Sequence, residues 1–376
     1  MIGFGLIGCG RIADKHLASL AACRDAELIA LCDIRPERMQ EAAEAYRARS
    51  GSDSPIATYD DIGRLLADSR VQAVVISTHS AMHAELAVRS LQAGKHVVLE
   101  KPIALSTDDA RMIAQLAALR GLKVQVCHQL RYRPLMGLVK QLIDQGSIGK
   151  LYMGSVSIRL QRSKHYYEEA RWRGTWDQDG GMLLNQGIHL IDLLQWFLGD
   201  AASVYGQMAR TELPKQTEDV AACVVRFHDG AIGVIEANTI SQPNNLDNEI
   251  TLFGDKGTIS IGGIKLNEIR RWYCEDGSQP PDEAGMQADE HLAMYECFVS
   301  SLCRGRSRED ADPSEGGDIE HVDADSSHLL RVDAREGSKA LEIICAMYES
   351  VRTKKEVQLP LGSFSTNFMT DWEDGL

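Results

Sequence analysis

The stretch that decides the fold is Ile2-Gly3-Phe4-Gly5-Leu6-Ile7-Gly8-Cys9-Gly10-Arg11-Ile12-Ala13. Its apolar start reads as a short buried strand. The chain then enters a glycine turn, after which Ala13, Leu17, Leu20 and Ala21 fall at i, i+4, i+7 and i+8, the spacing of one helix face. Strand, glycine turn and helix in that order are the entry unit of a doubly wound sheet. Gly8 permits the tight turn, Gly10 lets the backbone approach a pyrophosphate, and Ala13 keeps the helix close to the sheet. The helix start, around Arg11 and Ile12, offers free N–H groups to phosphates. Glycine-rich turns occur throughout α/β proteins, so the context has to carry the assignment. A second strand, Leu28 to Cys32, ends in Asp33, where a carboxylate would accept hydrogen bonds from the ribose hydroxyls of an adenosine. The same charge repels a 2'-phosphate. NAD is therefore the expected cofactor, with NADP possible because Arg35 and Arg38 lie close by.

The alternation continues outward. Residues 37–48 read as helix, 73–77 as a buried strand, 82–93 as helix with Gly94 as its C-cap, and 96–100 as strand. A helix over 108–119, capped by Ser106 or Thr107, and a strand over 123–127 complete the pattern. The expectation is an α/β fold whose residues 1–128 form a Rossmann doubly wound parallel sheet. The strand 96–100 closes with Glu100-Lys101-Pro102, so the lysine emerges at the carboxyl edge, where ligands collect. Pro102 restricts Lys101 to extended backbone and so aims its side chain, although an isolated strand-end lysine is more often a solvated charge. Thr78 and His79 leave their strand at the same edge. Past residue 127 come His128, Gln129, Arg131, Tyr132 and Arg133, either a surface loop or a substrate or cofactor contact.

From Leu151 the pattern changes. Strand-like segments follow at 151–160, 203–211, 220–228, 231–240, 249–253 and 258–261, with hairpin turns at His228-Asp229-Gly230-Ala231 and Gly254-Asp255-Lys256-Gly257. Residues 129–376 are thus expected to form an α+β domain with a large open, mostly antiparallel sheet. One face should carry helices and the other should meet a second copy, so self-association is expected. Between the first two strands lie Trp172, Arg173 and Trp176, then Gly180-Gly181-Met182-Leu183-Leu184-Asn185-Gln186-Gly187-Ile188-His189-Leu190-Ile191-Asp192. A single helix over 182–198 would put Asn185, His189 and Asp192 on one face, with Leu184, Ile188, Ile191 and Leu198 opposite. Such a stripe is usually just solvated. Beside Trp172, Trp176 and Trp196, a polar ligand could supply the partners that buried groups need. Residues 291–302 and 336–351 read as helices and 357–360 as a last strand. The segment 304–325 is acidic, without regular ligand spacing, and is expected to be a solvated insertion rather than a metal site.

Composition narrows the function. The 376 residues carry a formal net charge of -14, which disfavours nucleic acid and anionic membranes and requires any anionic ligand to be held locally. Nine cysteines without a CxxC pair suggest reduced thiols. The amino terminus opens directly on a strand and no apolar run would span a membrane, so an unprocessed cytoplasmic chain is expected.

These residues resemble the Gfo/Idh/MocA family of NAD(P)-dependent sugar and polyol oxidoreductases over nearly the whole chain. The carriers are Gly8 to Ala13, Ala93-Gly94-Lys95-His96-Val97-Val98-Leu99-Glu100-Lys101-Pro102, and Gly180 to Asp192, with Tyr348-Glu349-Ser350 near the end. The resemblance implies a homodimer or homotetramer built through the C-terminal sheet, that Lys101 and His189 carry the chemistry, that Glu100 lies at the nicotinamide end, and that Trp172 and Arg173 belong to a segment closing over the cofactor. Contacts to the cofactor are then expected from Gly8, Gly10, Arg11, Ile12, Asp33, Arg38, Thr78, His79, His83, Glu100, Lys101, Gln129, Trp172 and Arg173. Contacts to substrate are expected from Lys101, Arg131, Arg159, Tyr166, Asn185 and His189. Asn185 departs from the family, where many members have Asp; an amide orients but cannot take a proton. The expected reaction moves a hydride between nicotinamide and a secondary alcohol of a sugar, nucleotide sugar or cyclitol, with His189 as general acid/base beside Lys101. An NAD-dependent glycosidase working through transient oxidation and elimination, or a non-catalytic NAD(H)-binding protein, would use the same fold.

Overall fold

The computed structural model describes residues 1–282, 289–309 and 330–372. Its first sheet is parallel throughout and consists of β1 (Ile2–Ile7), β2 (Ala26–Cys32), β3 (Ala57–Tyr59), β4 (Ala73–Ile76), β5 (His96–Leu99) and β6 (Val124–Val126), in the order β3-β2-β1-β4-β5-β6. Helices α1 (Ala13–Ala22), α2 (Pro36–Ser50), α3 (Ile62–Ala67), α4 (His83–Gln92) and α5 (Thr107–Arg120) make the crossovers. The central strands are apolar on both faces because helices cover both, as a parallel sheet requires. Strand order reverses between β1 and β4, which places the ligand crevice beyond their carboxyl ends.

After α6 (Pro134–Asp144), the second sheet begins with β7 (Leu151–Arg159). The short α7 (Lys164–Glu168) and then α8 (Ile188–Leu198) intervene before β8 (Ala201–Ala209), β9 (Val220–Phe227), β10 (Ile232–Asn238), β11 (Asp247–Gly254), β12 (Gly257–Gly262) and β13 (Glu268–Cys274). Helices α9 (Glu290–Glu309) and α10 (Ala334–Thr353) precede β14 (Val357–Gln358). The order is β13-β12-β11-β7-β10-β9-β8-β14, antiparallel except where β10 runs parallel to β7. Alternation is clean along β9, where Ala221, Cys223, Val225 and Phe227 are buried and the residues between them are not. On the inner face, a Cβ on Gly154 would stand 2.8 Å from Leu194 and Leu198, and one on Gly206 would stand 2.7 Å from Met347, so α8 and α10 lie close on the sheet. The outer face exposes Met153, Tyr205, Val224, Ile232, Phe253 and Tyr273.

Several elements differ from expectation, among them β3, α3, α6 and α7, which were not singled out from the sequence. Strand β13 was not anticipated, because an edge strand with mostly exposed side chains has no apolar alternation to betray it. The helix expected over 182–198 starts as a π-helical turn, Leu183–Gly187, and becomes α-helical only at Ile188. Of the acidic segment 304–325, expected to be a solvated insertion, residues 304–309 belong to α9 and the rest lies outside the described residues. The later helices also cover the first sheet. Phe4 meets Tyr295 and Phe298 at centroid distances of 5.9 and 6.1 Å, and Val126 donates its N–H to the carbonyl of Val332. Among the described residues no helix is long and apolar enough to cross a membrane.

Candidate functional site

At the crevice, Gly8 has φ +91°, and a Cβ there would stand 2.9 Å from Thr78 and 3.0 Å from the backbone of Ser77. A Cβ on Gly10 would meet nothing within 4 Å, so the turn faces open space. No side chain caps the start of α1. Asp33 ends β2 and accepts hydrogen bonds from the N–H groups of Cys9 (2.7 Å) and Arg35 (2.9 Å), which fix its carboxylate beside the turn. Ile34, next to it, is 87% exposed and offers a flat apolar patch that the sequence reading did not single out. Open space at an uncapped helix start with an anchored carboxylate one strand away fits a dinucleotide. His79 is partly buried with Nδ1 unpartnered, and it feels the charge of Asp177 from the far side of the crevice. His83 corrects the expectation of cofactor contact. Its Nδ1 donates to the Pro102 carbonyl at 2.7 Å and its Nε2 lies 3.2 Å from the Thr78 carbonyl, so the ring ties two loops together inside the fold.

Lys101 stands at the end of β5. Behind it, Glu100 is hydrogen-bonded to His16 Nε2 (3.0 Å) and accepts the Lys101 N–H (3.1 Å), while His16 Nδ1 meets the Tyr295 hydroxyl (2.9 Å). Burial pushes the Glu100 pKa up, but the His16 contact and the charge of Lys101 outweigh it and hold the carboxyl down at about 2. His16, Glu100 and Cys127 bring ligand-type atoms within 4.8 Å of one another, yet both His16 nitrogens are already engaged, so hydrogen bonding accounts for the group. Lys101 Nζ donates to the backbone carbonyl of Asn185 at 2.7 Å, joining the first sheet to the π-turn. Burial lowers its pKa, and the carboxylates of Glu100 and Asp179 oppose that.

The π-turn places Asn185 and Gln186 half-buried at the cleft, with His189 at the start of α8. Burial lowers the His189 pKa well below its usual value, and Lys101 and His128 lower it further. Its Nδ1 is buried without a partner, and the His128 ring lies edge-on at 6.2 Å. Asn185 Nδ2 donates to Asp179 Oδ1 at 2.6 Å, and the Gly174 N–H donates to Asp179 Oδ2 at 2.7 Å. Asp179, only 3% exposed, was missed by sequence reasoning. Its one signal was an acid directly before Gly180-Gly181. Gln186 Nε2 donates to the Tyr166 hydroxyl (3.0 Å), and the guanidinium groups of Arg162 and Arg173 lie 5.2 and 4.3 Å from the Tyr166 ring. The Arg173 hydrogen bond holds the Glu169 pKa below its usual value, and Arg11 of the glycine turn adds a smaller effect, so segment 164–179 lies within electrostatic reach of that turn.

Several expected contacts lie elsewhere. Arg131 is fully buried, donating from Nε and Nη2 to Asp192 (2.8 and 2.7 Å), from Nη2 to Gln195 and from Nη1 to Glu336. Its charge is neutralised inside the protein and does not face the cleft. Arg133 is held by Glu290 and backbone carbonyls. Arg159 points from β7 to the outer face of the sheet, paired with Glu236, on the opposite side from α8. Trp176 is buried against Tyr348 and Trp196 stacks on Phe197, whereas Trp172 is half-buried beside Arg173. Gln129 and Arg38 are half-buried near the expected positions, without hydrogen bonds to other site residues.

Residues 2–128 match the family model described as "Oxidoreductase family, NAD-binding Rossmann fold", and residues 136–260 match the "GFO/IDH/MocA C-terminal domain". The crystal structure of the WlbA dehydrogenase from Bordetella pertussis, in complex with NADH and UDP-GlcNAcA, is 33% identical over 96% of this chain and 99% of that one, with a TM-score of 0.80. D-apiose dehydrogenase of Paraburkholderia graminis is 24% identical over 94% of this chain and 88% of its own length. Myo-inositol 2-dehydrogenase of Thermotoga maritima is 27% identical over 70% of this chain and 76% of its own.

Proposed function

The chain belongs to the Gfo/Idh/MocA family of NAD-binding sugar and cyclitol oxidoreductases, and from that premise we propose that it oxidises or reduces a secondary alcohol of a nucleotide sugar at the meeting point of Lys101, Asn185 and His189. The observation that carries this reading is the 2.7 Å hydrogen bond from Lys101 Nζ to the Asn185 carbonyl, which brings the strand-end lysine into the same cleft as His189. Bound NAD would supply the hydride acceptor for the carbinol carbon. Gly8, Gly10, the start of α1 and Asp33 would hold its phosphates and ribose, with Ile34 under the adenine. Gln129, Arg38, Trp172 and Arg173 remain candidates around it.

His189 takes the hydroxyl proton. Burial, with the charge of Lys101, keeps its ring neutral, hence in the basic form, at neutral pH. Lys101, as a cation, stabilises the developing alkoxide from a site where water is scarce. Glu100, anchored by His16, supports that charge from behind. The nucleotide sugar is favoured over a free sugar or cyclitol by the similarity to WlbA and by local charge. In a chain of net charge -14, a cavity of about 600 Å³ beside segment 164–179 is lined by Lys164, Arg171 and Arg173; Glu168 and Glu169 pair with Lys164 and Arg173, which leaves Arg171 as the cation available to an anionic ligand. We assign cofactor binding to residues 1–128 and substrate binding and self-association to residues 129–376. NAD reduction measured in parallel with UDP-linked sugars, the corresponding free sugars and inositols tests this. Turnover is expected with UDP-linked sugars, and faster turnover with a free sugar or inositol would overturn the substrate class.

A further inference from the structure

Asn185 has two hydrogen-bonding ends, and only one is free. Its Nδ2 is committed to Asp179 Oδ1 at 2.6 Å, and the other oxygen of that carboxyl is fixed by the Gly174 N–H at 2.7 Å. A carboxylate only accepts and an amide nitrogen only donates, so this contact sets the flip of the amide. The side-chain oxygen of Asn185 is then the end left for a ligand. Asp179 is also charge-coupled to Lys101, which already touches the Asn185 backbone. We propose that Asp179 is the positioning residue of the site: it locks Asn185 as a hydrogen-bond acceptor for the substrate hydroxyl and supplies the carboxylate charge that the amide at position 185 lacks.

The inference rests on the reading of the Lys101–His189 cleft as the reaction site, but its first consequence is independent of any substrate. Burial pushes the Asp179 pKa up to about 6, against the Gly174 N–H, the Asn185 amide, Lys101 and Lys215, which pull it down. Tyr166, Tyr167 and Tyr348 also feel its charge. Glu218, across the Gly180-Gly181 turn, titrates separately at about 7, and His189 well below its usual value. Protonation turns one of the two acceptor oxygens of Asp179 into a donor. With Oδ2 held by the Gly174 N–H, the proton falls on Oδ1, which then favours the oxygen of the Asn185 amide over its nitrogen, so the flip and the acceptor role of Asn185 weaken together.

The variants follow from donor and acceptor matching. In Asp179→Asn two amide nitrogens oppose each other unless Asn185 flips and turns its donor to the substrate. In the exchange Asp179→Asn with Asn185→Asp every group is satisfied again: the new amide oxygen accepts from Gly174, and its nitrogen donates to the carboxylate at 185. Two measurements decide the matter. First, the side-chain amide ¹⁵N resonance of Asn185, assigned by its loss in Asn185→Asp, is expected to titrate with a midpoint near the Asp179 value of about 6 in the full-length protein, and to lose that step in Asp179→Asn. No step in the parent, or the same step in Asp179→Asn, overturns the proposal whatever the enzyme turns over. Second, kcat in Asp179→Asn is expected to fall at least about tenfold with NADH affinity unchanged, and the exchange to recover to within about threefold of the parent. Parental kcat and pH profile in Asp179→Asn, or an exchange no better than that variant, overturns it. Absence of turnover in the parent protein refutes the substrate reading and leaves the resonance test to decide the role of Asp179.

Discussion

Arg131 leaves β6 at the edge where ligands collect, yet the fold pairs it with Asp192 and Glu336, 61 and 205 residues away in sequence. Those separations are why its role was not legible: a strand-end arginine looks the same whether its partner is a substrate or a distant carboxylate. Strand-end position, helical spacing and the family resemblance singled out Lys101, Asn185 and His189, and the hydrogen bond from Lys101 to the Asn185 carbonyl shows that the first two meet. Asp179 was not singled out, since its contact depends on which end of a distant amide it meets. With a fully buried bidentate pair, Arg131→Leu strands Asp192 without a counter-charge, and urea unfolding is expected to show a loss of about 3–5 kcal/mol. A loss below about 1 kcal/mol would mean that Asp192 finds other partners and that the network is not what fixes α8.

The π-turn before α8 is the element that aims Asn185. Apolar residues at i and i+4 satisfy a π-turn as readily as an α-turn, so periodicity predicts one continuous helix and cannot locate the change. What locates it is Glu218, which accepts the Leu183 N–H (2.9 Å) and the Tyr348 hydroxyl (2.8 Å) behind the positive-φ pair Gly180-Gly181. Burial raises the Glu218 pKa to about 7, against the opposing effects of the Leu183 N–H, Lys215 and Tyr348. The unfolded chain releases that proton near pH 4.3, roughly the ordinary glutamate value. The folded protein therefore binds more protons between about pH 4.3 and the folded value, and the contribution of this group is full below that window and lost as pH rises through it. Asp179, raised to about 6, acts in the same direction. Thermal unfolding of Glu218→Gln is accordingly expected to lose less stability than the parent on going from about pH 5 to 7.5. Equal slopes would show that Glu218 is ionised in the folded state throughout.

Across the whole molecule, two sheets were legible from the switch between continuous apolar strands and alternating ones, while the packing of α9 on β1 and the edge strand β13 were not. The outer face of the second sheet carries a connected apolar row, with Ile232 beside Met153, Met153 beside Phe253, and Val224 beside Tyr205. We infer that a second copy covers it. Light scattering is expected to give a multiple of the chain mass for the parent and a single chain for Val224→Lys with Ile232→Lys, and a monomeric parent would remove that role from the sheet. The larger claim is that one cleft, closed by Lys101 from the first sheet and His189 from the second domain, carries the hydride transfer. Single-turnover NAD reduction by His189→Asn at saturating NAD and UDP-linked sugar tests it most directly. A fall of about 10²–10⁴-fold with NADH affinity retained is the predicted result, and a rate equal to that of the parent would contradict it.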